Sequence, residues 1–530
     1  MMPYDGVVIG AGHNGLICAA YLARAGLKVA VVEGAAEIGG GATTQEFLLP
    51  GYRSNMHANF FIGLEDFPVV RDLELDRHGF RWITPEVQHA ALFRDGSAVL
   101  LHRDPERSAA SIGRFSARDA KAYLALHRRY AVELAPLMRS FLFHPPLPRE
   151  EVAARLDGEM GREFLSLAPM SISEAVAAHF ESPQLRALFN LFAHAITVED
   201  EPGTGLFLPS LFSTHTTLGL PCGGALEFPR ALERIILAHG GSVRRGSPAR
   251  EVLREGGRAA GVLLDSGERI PARRFVASSL NAPASIRLAG EDAFPPEVNE
   301  KMRRWNWGFH SLATLHLALA EPPRYAAERF DSDVARAFNV IFGAESETEV
   351  FENARERRAG KLPRRPMGNG ACNSVHDPSY APAGGHLAFW WPGAPYALAE
   401  GGPARWDAIR EEVAGRLLGV WREYAPNLTP RNVRAAKLFT PLDIERSNPN
   451  MVRAAVRMGA YTVDQLGVNR PHPLLSGMRT PLPGFYLCGS SCQGGGINGA
   501  PGYNAAGVIA EDLKIEKKWW TPLPAPILAA

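Results

Sequence analysis

Cysteine is scarce: Cys18, Cys222, Cys372, Cys488 and Cys492 are the five among 530 residues. They are too few and too scattered for a disulfide framework, and none forms a CxxC pair with ligand-like neighbours, so a reducing compartment is expected. Long apolar runs are also missing. No stretch reaches the roughly 18 to 20 uninterrupted apolar residues that a membrane-spanning helix needs. An apolar strand begins as early as Val7, which leaves no room before it for a signal peptide, and secretion is not expected. Neither sign of charge dominates: 57 basic residues face 56 acidic ones, a net +1. Such a chain has no field to draw a phosphate backbone, which excludes nucleic acid as an expected partner. The 16 histidines are dispersed, without HxxxH or HExxH spacing, so no metal site is expected. A second GxGxxG for a nicotinamide is absent too, and electrons are expected to leave to oxygen, a quinone or a carrier protein.

What is present is an ordinary globular composition, 46% hydrophobic and 21% charged, with length for two or three domains. The first forty residues carry the sharpest signal. Val7-Val8-Ile9 reads as a buried parallel strand, 16–25 as a helix, and 28–32 as a second strand ending at Glu33. Between them runs Gly10-Ala11-Gly12-His13-Asn14-Gly15. Gly10 permits the tight turn, Gly12 lets the backbone approach a pyrophosphate, and Gly15 lets helix and strand pack closely. Glu33 stands about 20 residues on, where a carboxylate hydrogen-bonds a ribose hydroxyl and disfavours a 2′-phosphate. His13 and Asn14, inside the loop, are expected to help position the pyrophosphate. A second glycine turn, Ile38-Gly39-Gly40-Gly41-Ala42-Thr43-Thr44, follows so closely that an extended dinucleotide, FAD rather than NAD, is the expected cofactor.

Beyond it the composition turns helical and rich in Arg and Ala, with helices expected over 116–141 and 171–194. After Pro221-Cys222-Gly223-Gly224 a helix through Ile236 leads into short strands at 242–245, 249–254, 261–264 and 275–278, with a turn at Asp265-Ser266-Gly267-Glu268. Residues 300–480 mix aromatic strand candidates with Pro/Gly loops and one long helix over 406–424. Near the end, a strand over 482–488 runs into Gly489-Ser490-Ser491-Cys492-Gln493-Gly494-Gly495-Gly496-Ile497-Asn498-Gly499 and then a helix to Leu513. A helix N-terminus placed there would stabilise the negative charge of a reduced flavin.

The opening GAGHNGLICAAYLARAG, the IGGGATT turn, the stretches 377–396 and 440–446, and GFYLCGSS with GGGINGAPGYNAA together resemble the phytoene dehydrogenase-related FAD flavoproteins. The resemblance is to the branch of pyridine nucleotide-disulfide oxidoreductase domain-containing protein 2, and it covers most of the chain. It implies an α/β, two-lobed flavoprotein of the GR2-like, amine-oxidase-like kind: a Rossmann-type FAD-binding domain, a mixed-sheet substrate domain and a helical insertion. The FAD-binding domain is expected to be discontinuous (1–75, 220–300 and 480–515), with a helical insertion or substrate domain at 76–219, a substrate domain at 301–479 and a tail at 516–530. By position the resemblance implies that Gly10, Gly12, Gly15, Glu33, Gly40, Gly41, Gly489, Gly496, Ile497 and Asn498 line the FAD, with Ala249 at the adenine end. Branch members carry His-Pro where this chain has Cys492-Gln493.

Flavin desaturation needs hydride delivery to N5 and a route for a proton, so geometry and a dry pocket matter more than a nucleophile. His57, just past the glycine turn, is the candidate base, against a structural histidine as the alternative. Asp443 and Glu445 read as ion-pair partners of Arg446. Cys492 reads as a buried inert thiol, against a redox or flavin-attached one. Phe389, Trp390, Trp391, Trp305 and Trp307 are candidates for an aromatic wall. The expected activity is that of an FAD-dependent dehydrogenase, desaturase or oxidase on an apolar or alicyclic small molecule. The alternatives are a redox-silent flavin isomerase and a non-catalytic FAD-binding protein with a protein partner. A cytoplasmic homo-oligomer is expected, its Lys517-Lys518-Trp519-Trp520 tail folded across a neighbouring subunit, with weak peripheral membrane contact as the other use of that tail.

Overall fold

The computed structural model describes residues 4–147, 149–156, 158–195, 198–497 and 499–522. Its first sheet has seven strands in the order Ser242–Arg244, Val29–Val32, Tyr4–Ile9, Arg269–Ser278, Arg258–Leu264 and Ala249–Glu255, with Phe485–Leu487 also paired to Arg269–Ser278. The pairings around Tyr4–Ile9 are parallel, as is that of Phe485–Leu487, whereas 249–278 forms an antiparallel meander. Val7, Val8 and Val29 to Val32 are all buried, as central parallel strands covered on both faces must be. Helix His13–Arg24 packs against helices Glu227–Ala238 and Ala500–Asp512. The sheet is therefore assembled from the first, middle and last parts of the chain.

The second sheet runs in the order Val433–Phe439, Thr314–Leu319, His386–Ala394, Gly368–Cys372, Asn339–Phe342, Val87–Leu92 and Ala98–His102, with Ser311–Leu312 added to His386–Ala394. Only Asn339–Phe342 with Val87–Leu92 is parallel among these pairings. One face packs on helix Arg405–Tyr424, where Trp390, Trp406 and Trp421 are each fully buried. Two strands of this sheet, Val87–Leu92 and Ala98–His102, come from the segment expected to be a helical insertion. Asp95 and Gly96 lie between two apolar runs there, and the hairpin they close is buried throughout.

The remaining helices of that segment are shorter than the sequence suggests. The stretch expected as one helix over 116–141 is divided into Ala117–Leu126, a π-helical turn His127–Glu133, and Ala135–Leu142, the last with a proline in its first turn. Residues 171–194 split into Ile172–His179 and a helix beginning at Pro183, since proline cannot donate to a preceding turn and holds its neighbour extended. Buried Asp119 ties the break down by accepting from the amides of Glu181 and Ser182 at 2.9 and 2.8 Å. Phe180, Phe189 and Phe212 stack nearly parallel beneath it, with centroids 5.1 and 5.0 Å apart.

The tail differs from expectation as well. Trp520 packs against Tyr21 at 4.6 Å and Tyr503 at 5.6 Å, Trp519 stacks on Tyr21 at 5.3 Å, and Arg24 covers the outer face of Trp519 at 4.6 Å. Thr521 donates its amide to Asp72, and Lys517 pairs with Glu511. Both rings therefore find aromatic partners within their own chain. No helix among the described residues is long and apolar enough to cross a membrane.

Candidate functional site

Where strand Tyr4–Ile9 ends, the chain turns through Gly10 at φ 91°, and a side chain there would lie 2.5 Å from Ser279 Oγ. A Cβ on Gly15 would fall 2.2 Å from the Gly10 carbonyl, so helix and loop close only around a glycine. Gly12 is different. It caps helix His13–Arg24 in extended backbone, and the nearest heavy atom to its Cβ position is Gly40 Cα, 3.9 Å away. Gly40, at φ 57°, would in turn place a Cβ 3.0 Å from Gly12 Cα. Two glycines from separate turns therefore touch backbone to backbone beside a helix N-terminus, and a bare backbone at that point fits the approach of a pyrophosphate.

Glu33 ends the second strand with both carboxylate oxygens fixed: one accepts from the Ala11 amide at 2.7 Å, the other from Ala35 at 2.8 Å. Its backbone carbonyl accepts from Ser247, which brings Ala249, at the start of a first-sheet strand, to the same strand end. A carboxylate held at the strand end with lone pairs to spare fits a ribose diol.

The last glycine cluster closes the other side. Gly489 rests on the carbonyls of Ser279 and Leu280, too near for any side chain. His13 Nε2 donates to the Gly496 carbonyl at 2.9 Å. Asn14 donates to Ser490 Oγ at 3.0 Å and accepts from the Gly502 amide at 3.2 Å. Both residues therefore bridge the first and last loops rather than only facing a phosphate. Burial holds His13 down to about 4, so its ring stays neutral. Gly41 meets Ile497 and Met451, whose terminal atoms lie 3.4 and 3.1 Å from a Cβ built on it. Asn498 lies outside the described residues.

Cys492 is fully buried, and burial pushes its thiol up to about 12, which favours the inert reading over a reactive thiolate. Near it lies Arg470, buried completely and held by the carbonyls of Ala460 and Arg457 at 3.0 Å and of Gln465 and Ser490 at 3.4 Å. Neither Arg470 nor Met451 carries a local sequence signature, and sequence reasoning misses both. Among the described residues no group of three or more His, Cys, Asp or Glu is placed to hold a metal ion.

His57 stands at the junction between the glycine turns and the second sheet. Its Nε2 is 3.4 Å from Ser447 Oγ, its buried Nδ1 has no protein partner, and burial lowers it to about 4. Its ring is 5.8 Å from Phe439, Phe439 is 5.6 Å from Phe47, and Phe47 is 5.4 Å from His316. Met451 and Phe439 belong to one apolar cluster, so this aromatic row starts beside Gly41. The register puts His316 between Phe389 and Lys437 on the sheet face turned away from helix Arg405–Tyr424. Trp391 continues that face, 4.8 Å from Phe389 and 5.8 Å from Phe60. Trp390 points the opposite way into the core, stacked 4.4 Å from Phe342, and so is removed from the expected wall. Trp305 belongs to the core of the first sheet with Trp307 packed beside it. The expected ion pairs also change: Asp443 pairs with Arg410 and forms a capping box with the N-cap Thr440, Arg446 pairs with Asp407, and Glu445 accepts from Tyr396 and the Arg453 amide.

A family model described as flavin containing amine oxidoreductase matches residues 15–509. Over 545 residues the chain is 32% identical to one of the subunits of limonene dehydrogenase from Castellaniella defragrans, covering 99% of this chain and 97% of that protein. It is 30% identical over 556 residues to pyridine nucleotide-disulfide oxidoreductase domain-containing protein 2 of Rattus norvegicus, covering 96% and 94%. Among solved structures, a putrescine oxidase variant superposes with TM-score 0.63 at 15% identity over 96% of this chain and 99% of that one. Cyclohexylamine oxidase from Brevibacterium oxydans gives 0.57 at 16% identity over 97% and 100%. At those identities the likeness speaks to the shared fold.

Proposed function

The chain belongs to the family of flavin-containing amine oxidoreductases, and from that premise we propose that it dehydrogenates an apolar, alicyclic substrate held between its FAD and the aromatic face of the second sheet. It is an FAD-dependent oxidoreductase. The observation that carries the substrate class is the aromatic row from Phe439 through Phe47 to Phe389 and Trp391, which begins at the turn of Gly41 and meets a charge at Lys437, on the exposed edge over the Phe47 ring. Such a surface binds a hydrocarbon skeleton by dispersion and by removal of apolar area from water. The relative in Castellaniella defragrans is named as a subunit of limonene dehydrogenase, which supports both an alicyclic substrate and assembly with a second polypeptide.

Bound FAD supplies a hydride acceptor at N5. Gly10, Gly12, Gly15, Gly40 and the helix N-terminus behind them hold the pyrophosphate, Glu33 the ribose, and the Gly41, Gly489, Gly496 and Ile497 turns the ring end, with Asn498 and Ala249 assigned by resemblance alone. Desaturation also releases a proton from the neighbouring carbon. His57 is proposed to take it: its imidazole is kept neutral by burial, and its unpaired Nδ1 lies on the apolar row. The rings of Phe439 and Phe47 exclude water from the same space.

Anaerobic mixing of the yellow holoprotein with limonene tests the reading. Loss of the visible flavin absorbance, with a product two hydrogens lighter, is the expected result. A changed product without net bleaching would replace dehydrogenation by isomerisation, and an unchanged flavin with unchanged limonene would refute the substrate class.

A further inference from the structure

His316 is an imidazole of the aromatic face that the proposed chemistry leaves unused. It sits in the middle of strand Thr314–Leu319 and is 1% exposed, yet neither of its ring nitrogens meets a protein hydrogen-bond partner. Two other buried histidines do not share that condition. His89 reaches the His215 carbonyl at 2.6 Å and Asn339 at 3.1 Å, and His215 reaches the Tyr123 hydroxyl at 2.9 Å. A buried donor and acceptor left unmatched are costly, and folded proteins rarely keep them unless something else completes them.

The surroundings say what that something is. Phe47 lies edge-on at 5.4 Å and Phe389 tilted at 6.4 Å, and both are apolar. Lys437, the cross-strand neighbour, is turned onto the Phe47 ring at 4.1 Å and is exposed at the sheet edge. Desolvation keeps the imidazole uncharged, with one donor and one acceptor nitrogen. With Phe47 and Phe389 on either side of the imidazole, a single hydroxyl or carbonyl on an otherwise apolar molecule would find a complementary nitrogen there.

Resting on the substrate reading above, we propose that His316 is a specificity residue that hydrogen-bonds one hydroxyl or carbonyl oxygen of an oxygenated alicyclic substrate, while the rest of its skeleton lies along Phe47, Phe439 and Phe389. Hydrogen-bond sites discriminate against analogues that lack the group, because the site's own polar atom is then left unpaired. The preference is therefore for a cyclic alcohol or ketone over the parent hydrocarbon.

The test uses the FAD-loaded protein and two saturated probes that differ by one hydroxyl, menthol and p-menthane, with dissociation constants read from flavin difference spectra. Wild type is expected to bind menthol about tenfold or more tighter than p-menthane. In His316→Phe the ratio should fall to within about twofold while p-menthane binds as before or better. His316→Gln returns an amide donor and acceptor to the same face and should restore part of the preference, which a merely structural role would not do. A ratio equal in all three proteins, or parallel loss of both probes in both variants, would overturn the assignment. If neither probe perturbs the flavin of wild type, the alicyclic reading falls and this inference with it, which is distinguishable from probes that both bind without discrimination.

Discussion

Replacing Gly12 by alanine separates a glycine kept for a ligand from one kept for the fold. Gly12 has φ −69° and ψ 163°, which alanine adopts freely, and an added methyl would have 3.9 Å to its nearest neighbour. Two effects on the apoprotein oppose each other: the unfolded chain loses entropy, which favours the variant by about 0.4–1 kcal/mol, and alanine caps a helix worse than glycine by about 1 kcal/mol. The apoprotein should therefore keep its stability to within about 1 kcal/mol. FAD should not be so tolerant. The methyl stands at the helix N-terminus that the pyrophosphate approaches, and displacing a pyrophosphate from one backbone donor removes a charge-assisted hydrogen bond of about 1.5–3 kcal/mol, or roughly ten- to 150-fold in affinity. Gly15→Ala behaves in the opposite way, since its methyl would overlap the Gly10 carbonyl at 2.2 Å and Ser279 Oγ at 2.8 Å. That overpacking should cost the apoprotein about 1–3 kcal/mol before any ligand is added. FAD titrations by fluorescence quenching and thermal melts of the two apoproteins check both statements. A Gly12→Ala protein that binds FAD like wild type, or whose apo melting point falls as far as that of Gly15→Ala, would refute the reasoning.

Glu33→Gln should weaken FAD retention by about 1–3 kcal/mol, because an amide cannot accept from both Ala11 and Ala35 as the carboxylate does; equilibrium dialysis measures it. Acid should release FAD and unfold the chain as pH falls from about 6.5 toward 4. Burial lowers His13, His57 and His89 to about 4 and His215 and His316 to about 3, so the unfolded state binds protons in that window that the native state refuses. Stability is then complete above about 6.5 and declines by at most about 1.4 kcal/mol per pH unit for each histidine, and a melting point that stays flat between pH 7 and 4.5 would contradict this. Trp520→Ala should lower stability by about 3–5 kcal/mol through the loss of its contacts with Tyr21 and Tyr503, with no change in liposome flotation.

The nucleotide end of the molecule is legible in the sequence because each of its requirements is local. A turn, a helix start and a terminal acid occur within 33 residues, and glycine is demanded there by the positive φ of Gly10 and by the close approach of Gly15 to the Gly10 carbonyl. The second sheet is harder to read. Val87–Leu92 and Ala98–His102 are buried along their whole length, so they lack the alternation that marks a half-exposed strand and sit beside helices of similar composition. The distinction between Trp390 and Trp391 depends on strand register, which sequence spacing makes alternate but does not orient. His316 cannot be found at all from its neighbours in Thr-Leu-His-Leu-Ala-Leu. Its lack of a partner is a property of Phe47 and Phe389, which lie 269 and 73 residues away, the differences of 316 and 47 and of 389 and 316. The arginine pairings escape the sequence for the same reason, since Arg410 reaches Asp443 from another helix.

The bond from His13 to the Gly496 carbonyl joins residues 483 positions apart, and strand Phe485–Leu487 is laid beside a sheet whose other strands are made long before it. A growing chain can form the parallel pair of Tyr4–Ile9 and Val29–Val32 early, but the wall carried by Gly489 and Gly496 does not exist until the ribosome has passed them. Closing so large a loop is slow, and domains otherwise tend to fold as they emerge. Loading with FAD is consequently a late event in the life of each molecule. Until Gly489 and Gly496 have emerged, the nucleotide site stands open, because helix Ala500–Asp512, which follows them in the chain, cannot yet dock on His13–Arg24.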